Sequence, residues 1–447
     1  MAKRAFIAVL FFSLFGCLTA SAQLPVPNVC PYQSHAKSLS CLIPDVTVTG
    51  AGSNLAGFNT AIAQVLGQLP LAAPVSGVVI GFNKKLAVPE DITENLGTIL
   101  TERGNTVGKY KLFVGFTYQR FVFDTVDGTK LSNLPIVFSQ AASSLQGQQV
   151  GFAQNNLGAN VTQYTGIVAF GLTDRIDVSA IIPFERISAS AGYNNLIKAS
   201  VPSTGVCNYP GPSNNGICGP TSQFASNTIS GSASGFGDVI LVLKGTVLNG
   251  ERSKVAAGVE TRFPTGDVFN LLGTGAYGVK PYAVFSRFWG RITPHANIGY
   301  QWNGFSVLRQ NPAGGNLRLP DTLDYSAGAD IGLIKRKLSV VADFVGQYFF
   351  SAPRILPAAD VAPSGTNCVT GVCLPDTSLI TGPLQGSSLK SIGIGTGSYP
   401  VNNMSVGFKF SPKGNLIISA NALLKLNDAG LRSKFVPLVG ISYRFGK

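Results

Sequence analysis

The residues able to do covalent chemistry are few in this chain, and their spacing points away from catalysis. Among 447 residues there are two histidines, His35 and His295, and seven cysteines. A barrel that hydrolyses lipid needs a Ser–His pair facing the bilayer, because its substrate lies there. His295 falls instead on the polar side of an alternating stretch, together with Arg291, Thr293, Asn297, Gly299 and Gln301. The glycines at Gly231, Gly235 and Gly237 open no helix, and there is no phosphate-binding loop, so nucleotide chemistry has no support. No catalytic, cofactor-binding or metal-binding residue is assigned, and neither a cofactor nor nucleic acid is an expected partner. Six of the cysteines form sequence-close pairs: Cys30/Cys41, Cys207/Cys218 and Cys368/Cys373. Short spacings among Gly, Pro and Asn in an exported chain read as local disulfides. A metal site is the sharper alternative, but only the first pair has a histidine nearby in sequence, His35.

What the chain does offer is charge set into alternating apolar stretches. Lys244, Lys254, Glu260, Arg262, Lys280, His295, Asp330 and Asp343 are the candidates for lining a pore. In 253–263, Val255, Ala257, Val259, Thr261 and Phe263 share one face of a strand, and Lys254, Ala256, Gly258, Glu260 and Arg262 share the other. In 292–303 the outer face begins apolar at Ile292 and ends in Tyr300 and Trp302, which suits a strand crossing lipid with aromatics at the interface. Tight turns at Asn249-Gly250 and Trp289-Gly290-Arg291 join these stretches to their neighbours. If the apolar faces meet lipid, the inward faces also receive Asp177, Glu185, Asp238, Asp324, Lys409, Lys425 and Arg444. Inward charge of both signs means a hydrated pore or mutually paired side chains.

Composition agrees with a membrane setting. Only 12% of residues are charged, against about 25% in ordinary soluble proteins, and mean hydropathy is +0.25. Beyond the N-terminus no apolar run reaches the roughly 18–20 residues that a spanning helix needs. Only helices and closed barrels satisfy the backbone inside lipid, which leaves the barrel. Lys3 and Arg4, the apolar run 5–15 and Ala20-Ser21-Ala22 read as a secretory signal peptide over 1–22. The formal charge of +13 suits anionic head groups or solutes, or simply basic turns.

The expected fold is all-β: a transmembrane antiparallel barrel of about 12 strands (10–14) over 108–447, with a mixed region over 23–107. That region holds a short helix at 54–69 and β-like runs at 77–82 and 96–100, and lies in the barrel as a plug or below it as a periplasmic tail. The candidate strands are 109–124, 157–170, 176–191, 236–248, 253–263, 276–288, 291–303, 322–334, 338–350, 402–410, 415–427 and 434–445. Connections alternate between short ones and long ones such as 125–156, 192–235 and 351–401, as periplasmic turns and external loops do.

Two resemblances follow from particular residues. The ending Gly440-Ile441-Ser442-Tyr443-Arg444-Phe445 resembles the terminal strand signal of outer-membrane barrels, which implies the barrel-assembly machinery and outer-membrane lipids as partners; Gly446 and Lys447 beyond it depart from that pattern. Three motifs resemble the outer-membrane proteins of the phenol-degradation meta-pathway family, related in style to long-chain fatty-acid transporter barrels. They are Gly235-Phe236-Gly237-Asp238, Phe263-Pro264-Thr265-Gly266-Asp267, and 172–178 before an apolar strand. The resemblance spans roughly residues 108–447 and implies a non-enzymatic channel for small hydrophobic or aromatic solutes. It carries over no defined binding residues. A lipid-modifying enzyme, or an adhesive or structural barrel with disulfide-closed surface loops, are the alternatives.

Overall fold

A computed structural model describes residues 38–40, 80–83, 88–91, 95–141, 148–201, 227–310, 316–361, 365–369, 372–376, 389–413 and 415–445. Within them twelve antiparallel strands close into a cylinder. The first four are β1 (Leu112–Val126), β2 (Gln148–Gly171), β3 (Ile176–Val201) and β4 (Val239–Asn249). Next come β5 (Ser253–Phe263), β6 (Gly278–Arg287), β7 (Ile292–Asn303) and β8 (Thr322–Ile334). The wall continues through β9 (Leu338–Val361), β10 (Leu389–Lys413), β11 (Leu416–Lys425) and β12 (Phe435–Phe445). Each pairs with its sequence neighbour, and β12 returns to β1 with Phe445 opposite Leu112. Closure matters because lipid offers nothing to an unpaired edge. Among the described residues no helix is long and apolar enough to cross a membrane.

The alternation read from the sequence is the alternation of the wall. Leu243, Val259, Ile298, Phe408 and Val439 face outward and are exposed, while Lys244, Arg262, His295, Lys409 and Leu438 face inward and are buried. Aromatics gather at both rims. Tyr300 lies 5.2 Å from Trp302 and Tyr348 5.0 Å from Phe350 at one end of the strands, and Tyr443 lies 4.6 Å from Phe445 at the other. Such girdles mark the two interfaces of a lipid-embedded barrel.

Four strands are longer than the hydrophobic pattern indicates. The β2–β3 ladder continues to Gln148 opposite Val201, and the β9–β10 ladder to Val361 opposite Leu389. The expected long loops 125–156, 192–235 and 351–401 are therefore partly wall. Flanking strands Leu134–Ala141 and Asn227–Phe236 extend that wall beside β2 and β3. Beyond the lipid band the outer face has no need of apolar residues, so period two fades from the sequence while the ladder goes on.

N-terminal to β1, Ile80–Asn83 pairs with Val88–Asp91 in a hairpin that takes in only the end of the expected run 77–82. Residues 96–100 do not form the expected strand. They run as irregular chain, with Gly97 at φ 89°, because their partners are side chains of the barrel rather than another strand. The expected helix at 54–69 and the signal segment lie outside the described residues. So do Cys30, Cys41, Cys207 and Cys218, and with them two of the three expected disulfides, Cys30–Cys41 and Cys207–Cys218.

Candidate functional site: a lumen crossed by its own N-terminal segment

Residues 95–107 bond to inward-facing side chains of seven strands, β3, β4 and β6 to β10. Leu96 and Thr98 are fully buried and Arg103 is 2% exposed. A chain without a partner strand must place its backbone groups elsewhere. The amide of Leu96 donates to Ser339 Oγ on β9 (2.8 Å), that of Gly104 to Ser286 Oγ on β6 (3.1 Å), and that of Val107 to Asp177 Oδ2 on β3 (2.9 Å). The Gly104 carbonyl accepts from Thr246 Oγ1 on β4 at 2.7 Å, and the Thr98 carbonyl accepts from Lys409 Nζ on β10. The small hydroxyl residues on these inward faces therefore serve as ladder partners for a segment that crosses the barrel.

Charge fixes the crossing. Arg103 pairs with Asp330 on β8 at 2.6 Å and also bonds Asn95, while Glu102 pairs with Lys244 on β4 at 3.1 Å. Tyr282 on β6 donates to Glu102 at 3.3 Å. Its ring lies beside Gly258, where an added Cβ would stand 2.6 Å from ring atoms, so a glycine there leaves the ring its place. His295 lies 2.8 Å from Asp343, 3.5 Å from Asp330 and 2.9 Å from Thr101 Oγ1. This set superficially resembles a hydroxyl–imidazole–carboxylate relay. However, Thr101 also donates to Asp343, the same imidazole nitrogen faces both, and His295 and its two carboxylates are fully buried. It is a tether, closed to substrate.

Of the eight pore-lining candidates, Lys244, His295, Asp330 and Asp343 hold the segment. Glu260 and Lys280 pair with each other at 2.7 Å, and Lys280 reaches Asp324 at 3.2 Å; all three are partly exposed within the wall. Arg262 faces Asp238 at 3.9 Å and donates to Asn303 at 2.6 Å. Lys254 lies over the Phe288 ring at 5.9 Å. Glu102, Arg103 and Thr101 are not among the candidates that the sequence offers. Their only signal is an adjacent acid–base pair just ahead of the first strand, beyond the β-like run 96–100.

Toward the long-loop end the lumen turns apolar. Phe121 and Phe123 of β1, Val161 of β2 and Ile187 of β3 form one cluster with Phe269, Leu272, Leu308 and Leu39. Phe269 and Leu272 come from the connection 264–277, which folds into the barrel mouth. Its turn Val268–Asn270 is capped by Asp267, whose carboxylate accepts from the amides of Phe269 (3.1 Å) and Asn270 (3.3 Å).

Two of the three family-like motifs, 235–238 and 263–267, meet where that connection leaves the wall. Thr265 Oγ1 donates to the Gly237 carbonyl and accepts from the Val239 amide, both at 2.9 Å. Asp238 accepts from the Gly266 amide (3.1 Å), the Thr274 amide (2.8 Å) and the Thr274 hydroxyl (2.6 Å). Between them β3 changes partner, from Ile240 opposite Ile181 to Phe236 opposite Phe184. The motifs are thus the two halves of a pinned notch in the wall. Of the expected cysteine pairs, Cys368 and Cys373 stand opposite each other in a hairpin of Gly365–Val369 and Val372–Asp376. The pairs Cys30/Cys41 and Cys207/Cys218 lie outside the described residues.

Comparison with known proteins adds the following. No curated protein matches in sequence. In structure the chain is similar to an outer membrane channel from Pseudomonas putida F1 at 13% identity, covering 77% of this chain and 99% of that one, with a TM-score of 0.42. It is also similar to a FadL homologue of Pseudomonas aeruginosa (9% identity; 75% and 90% covered; TM-score 0.30). A third is the Ralstonia pickettii toluene transporter TbuX (12% identity; 76% and 90% covered; TM-score 0.26). The sequence pattern of a family described as "Putative MetA-pathway of phenol degradation" matches residues 136–351, just under half of the chain. That stretch contains both halves of the notch, and over it this β-barrel chain is similar to that family.

Proposed function

We propose that the chain is an outer-membrane channel for small hydrophobic or aromatic compounds, and that residues 95–107 restrict its lumen. The single observation that carries the reading is the interior of the barrel. It is apolar at the long-loop mouth, polar below, and crossed there by the chain's own segment. An apolar mouth takes up a greasy solute, a polar belt gives it a hydrated way out, and a tethered segment prevents an open hole. The family description, with its reference to phenol degradation, favours aromatic solutes. Export by a cleaved leader over 1–22, assembly through the β12 signal and local disulfides at Cys30/Cys41, Cys207/Cys218 and Cys368/Cys373 complete this reading. A lipid-modifying enzyme is disfavoured by the position of His295, which faces the lumen and is tied to Asp343 and Asp330. The test is uptake of a radiolabelled aromatic compound by cells whose lipopolysaccharide slows its passive entry. Cells producing the folded barrel should accumulate it faster than cells lacking the barrel. Equal rates, with the barrel in the outer membrane, would remove the channel reading.

A further inference from the structure

We infer that β1, β2 and β3 carry a hydroxyl-recognition site made by Gln119, Gln163 and Glu185, suited to a neutral aromatic alcohol of the phenol class. The inference rests on the channel reading and narrows its solute. The register sets Gln119 opposite Gln163, and Gln163 opposite Glu185, as one row across three adjacent strands. All three face inward and are 1–3% exposed. Within the row Gln163 donates to Glu185 Oε1 at 2.9 Å. Gln119 Nε2, Gln163 Oε1 and Glu185 Oε2 have no protein partner, nor do the hydroxyls of Thr117 and Thr165 one row below. Buried polar atoms are normally paired, and leaving one unpaired is costly. Here five gather in two adjacent rows. Lower in the same lumen the corresponding groups of β4, β6 and β9 are bound to residues 95–107.

The chemistry of the orphan atoms selects the ligand. They include a donor, two acceptors and two hydroxyls, and a ligand hydroxyl both donates and accepts. No cation stands in the row, so a carboxylate brought there would be buried without a counter-charge, which is costly. The next row toward the mouth is Phe121, Val161 and Ile187, all buried, with the Phe121 and Phe123 rings stacked at 6.1 Å. A flat ring with one hydroxyl spans that border. Gly237 of the notch lies against Glu185, since a Cβ added there would stand 3.2 Å from the carboxyl carbon. The site is therefore next to the place where the wall changes partner.

The experiment titrates the purified full chain with 4-fluorophenol, fluorobenzene and 4-fluorobenzoate, followed by fluorine NMR. The wild type should bind 4-fluorophenol at least about tenfold more tightly than either other compound, the scale expected when buried polar groups lose a partner. Gln119→Leu and Gln163→Leu should each abolish that preference while leaving fluorobenzene binding in place, with folding verified by heat-modifiable migration. The wild-type comparison decides the matter even if a variant fails to fold. Equal binding of 4-fluorophenol and fluorobenzene, or tighter binding of 4-fluorobenzoate, overturns the site. Such a result beside intact aromatic uptake leaves the channel standing, whereas loss of uptake removes the channel itself.

Discussion

At the scale of single residues, neighbouring positions on one strand live in different solvents. Val259 sits mid-strand on β5, opposite Leu243 and Pro281, and faces outward. Val259→Arg should destabilise the folded barrel by roughly 2–4 kcal/mol, the cost of a charge near the bilayer midplane. Glu260, one residue on, faces inward and shares Lys280 with Asp324. Glu260→Gln leaves the second carboxylate in place, so it should cost under about 1 kcal/mol, as for a partly exposed pair. Urea titration of both variants in lipid vesicles measures the difference. Equal destabilisation would mean that the register of β5 is wrong. The same logic explains why Arg103 and Asp330 depend on each other: both are fully desolvated, and either left alone would be an uncompensated buried charge.

At the scale of elements, the wall and the segment inside it obey different rules. Each strand crossing lipid must repeat apolar and polar residues with period two, and that repetition is local, so all twelve strands are legible in the sequence. The outer parts of β2, β3, β9 and β10 are not, because water on their outer side relaxes the pattern. The segment 95–107 reads in sequence only as a plug or a tail, since its partners are scattered from Asp177 to Lys409 and no local periodicity marks them. Likewise Lys254, Arg262 and His295 can be placed on an inward face from alternation alone, but which of them holds the segment depends on residues far away in sequence. The segment gives a direct prediction. Deleting residues 24–104 with the leader retained removes Glu102 and Arg103 with their pairs to Lys244 and Asp330. Single-channel conductance of the folded deletant in planar bilayers should rise severalfold. An unchanged conductance in an inserted, heat-modifiable deletant would move the constriction to the connection 264–277, whose Phe269 and Leu272 occupy the mouth.

At the scale of the whole molecule, the even strand count fixes sidedness. Leu112 and Phe445 lie side by side at the end of the barrel that carries the short turns, so both termini of the wall share one face. On the proposed reading of an exported outer-membrane channel, insertion from the periplasm is expected to put that face in the periplasm and the long connections outside. The lysines make this measurable. Lys335 and Lys337 sit exposed in the turn between β8 and β9, at the short-turn end. Lys130, after β1, and Lys434, before β12, are exposed at the opposite end. A bulky amine-reactive reagent that cannot pass the outer membrane should label Lys130 and Lys434 on intact cells, with the modified peptides identified by mass spectrometry. Lys335 and Lys337 should become labelled only after the outer membrane is opened. Modification of Lys335 or Lys337 on unbroken cells, with Lys130 and Lys434 protected, would invert the barrel. The apolar mouth around Phe121 and Phe269 would then face the periplasm, and inward passage of a greasy solute would have to begin at the charged belt.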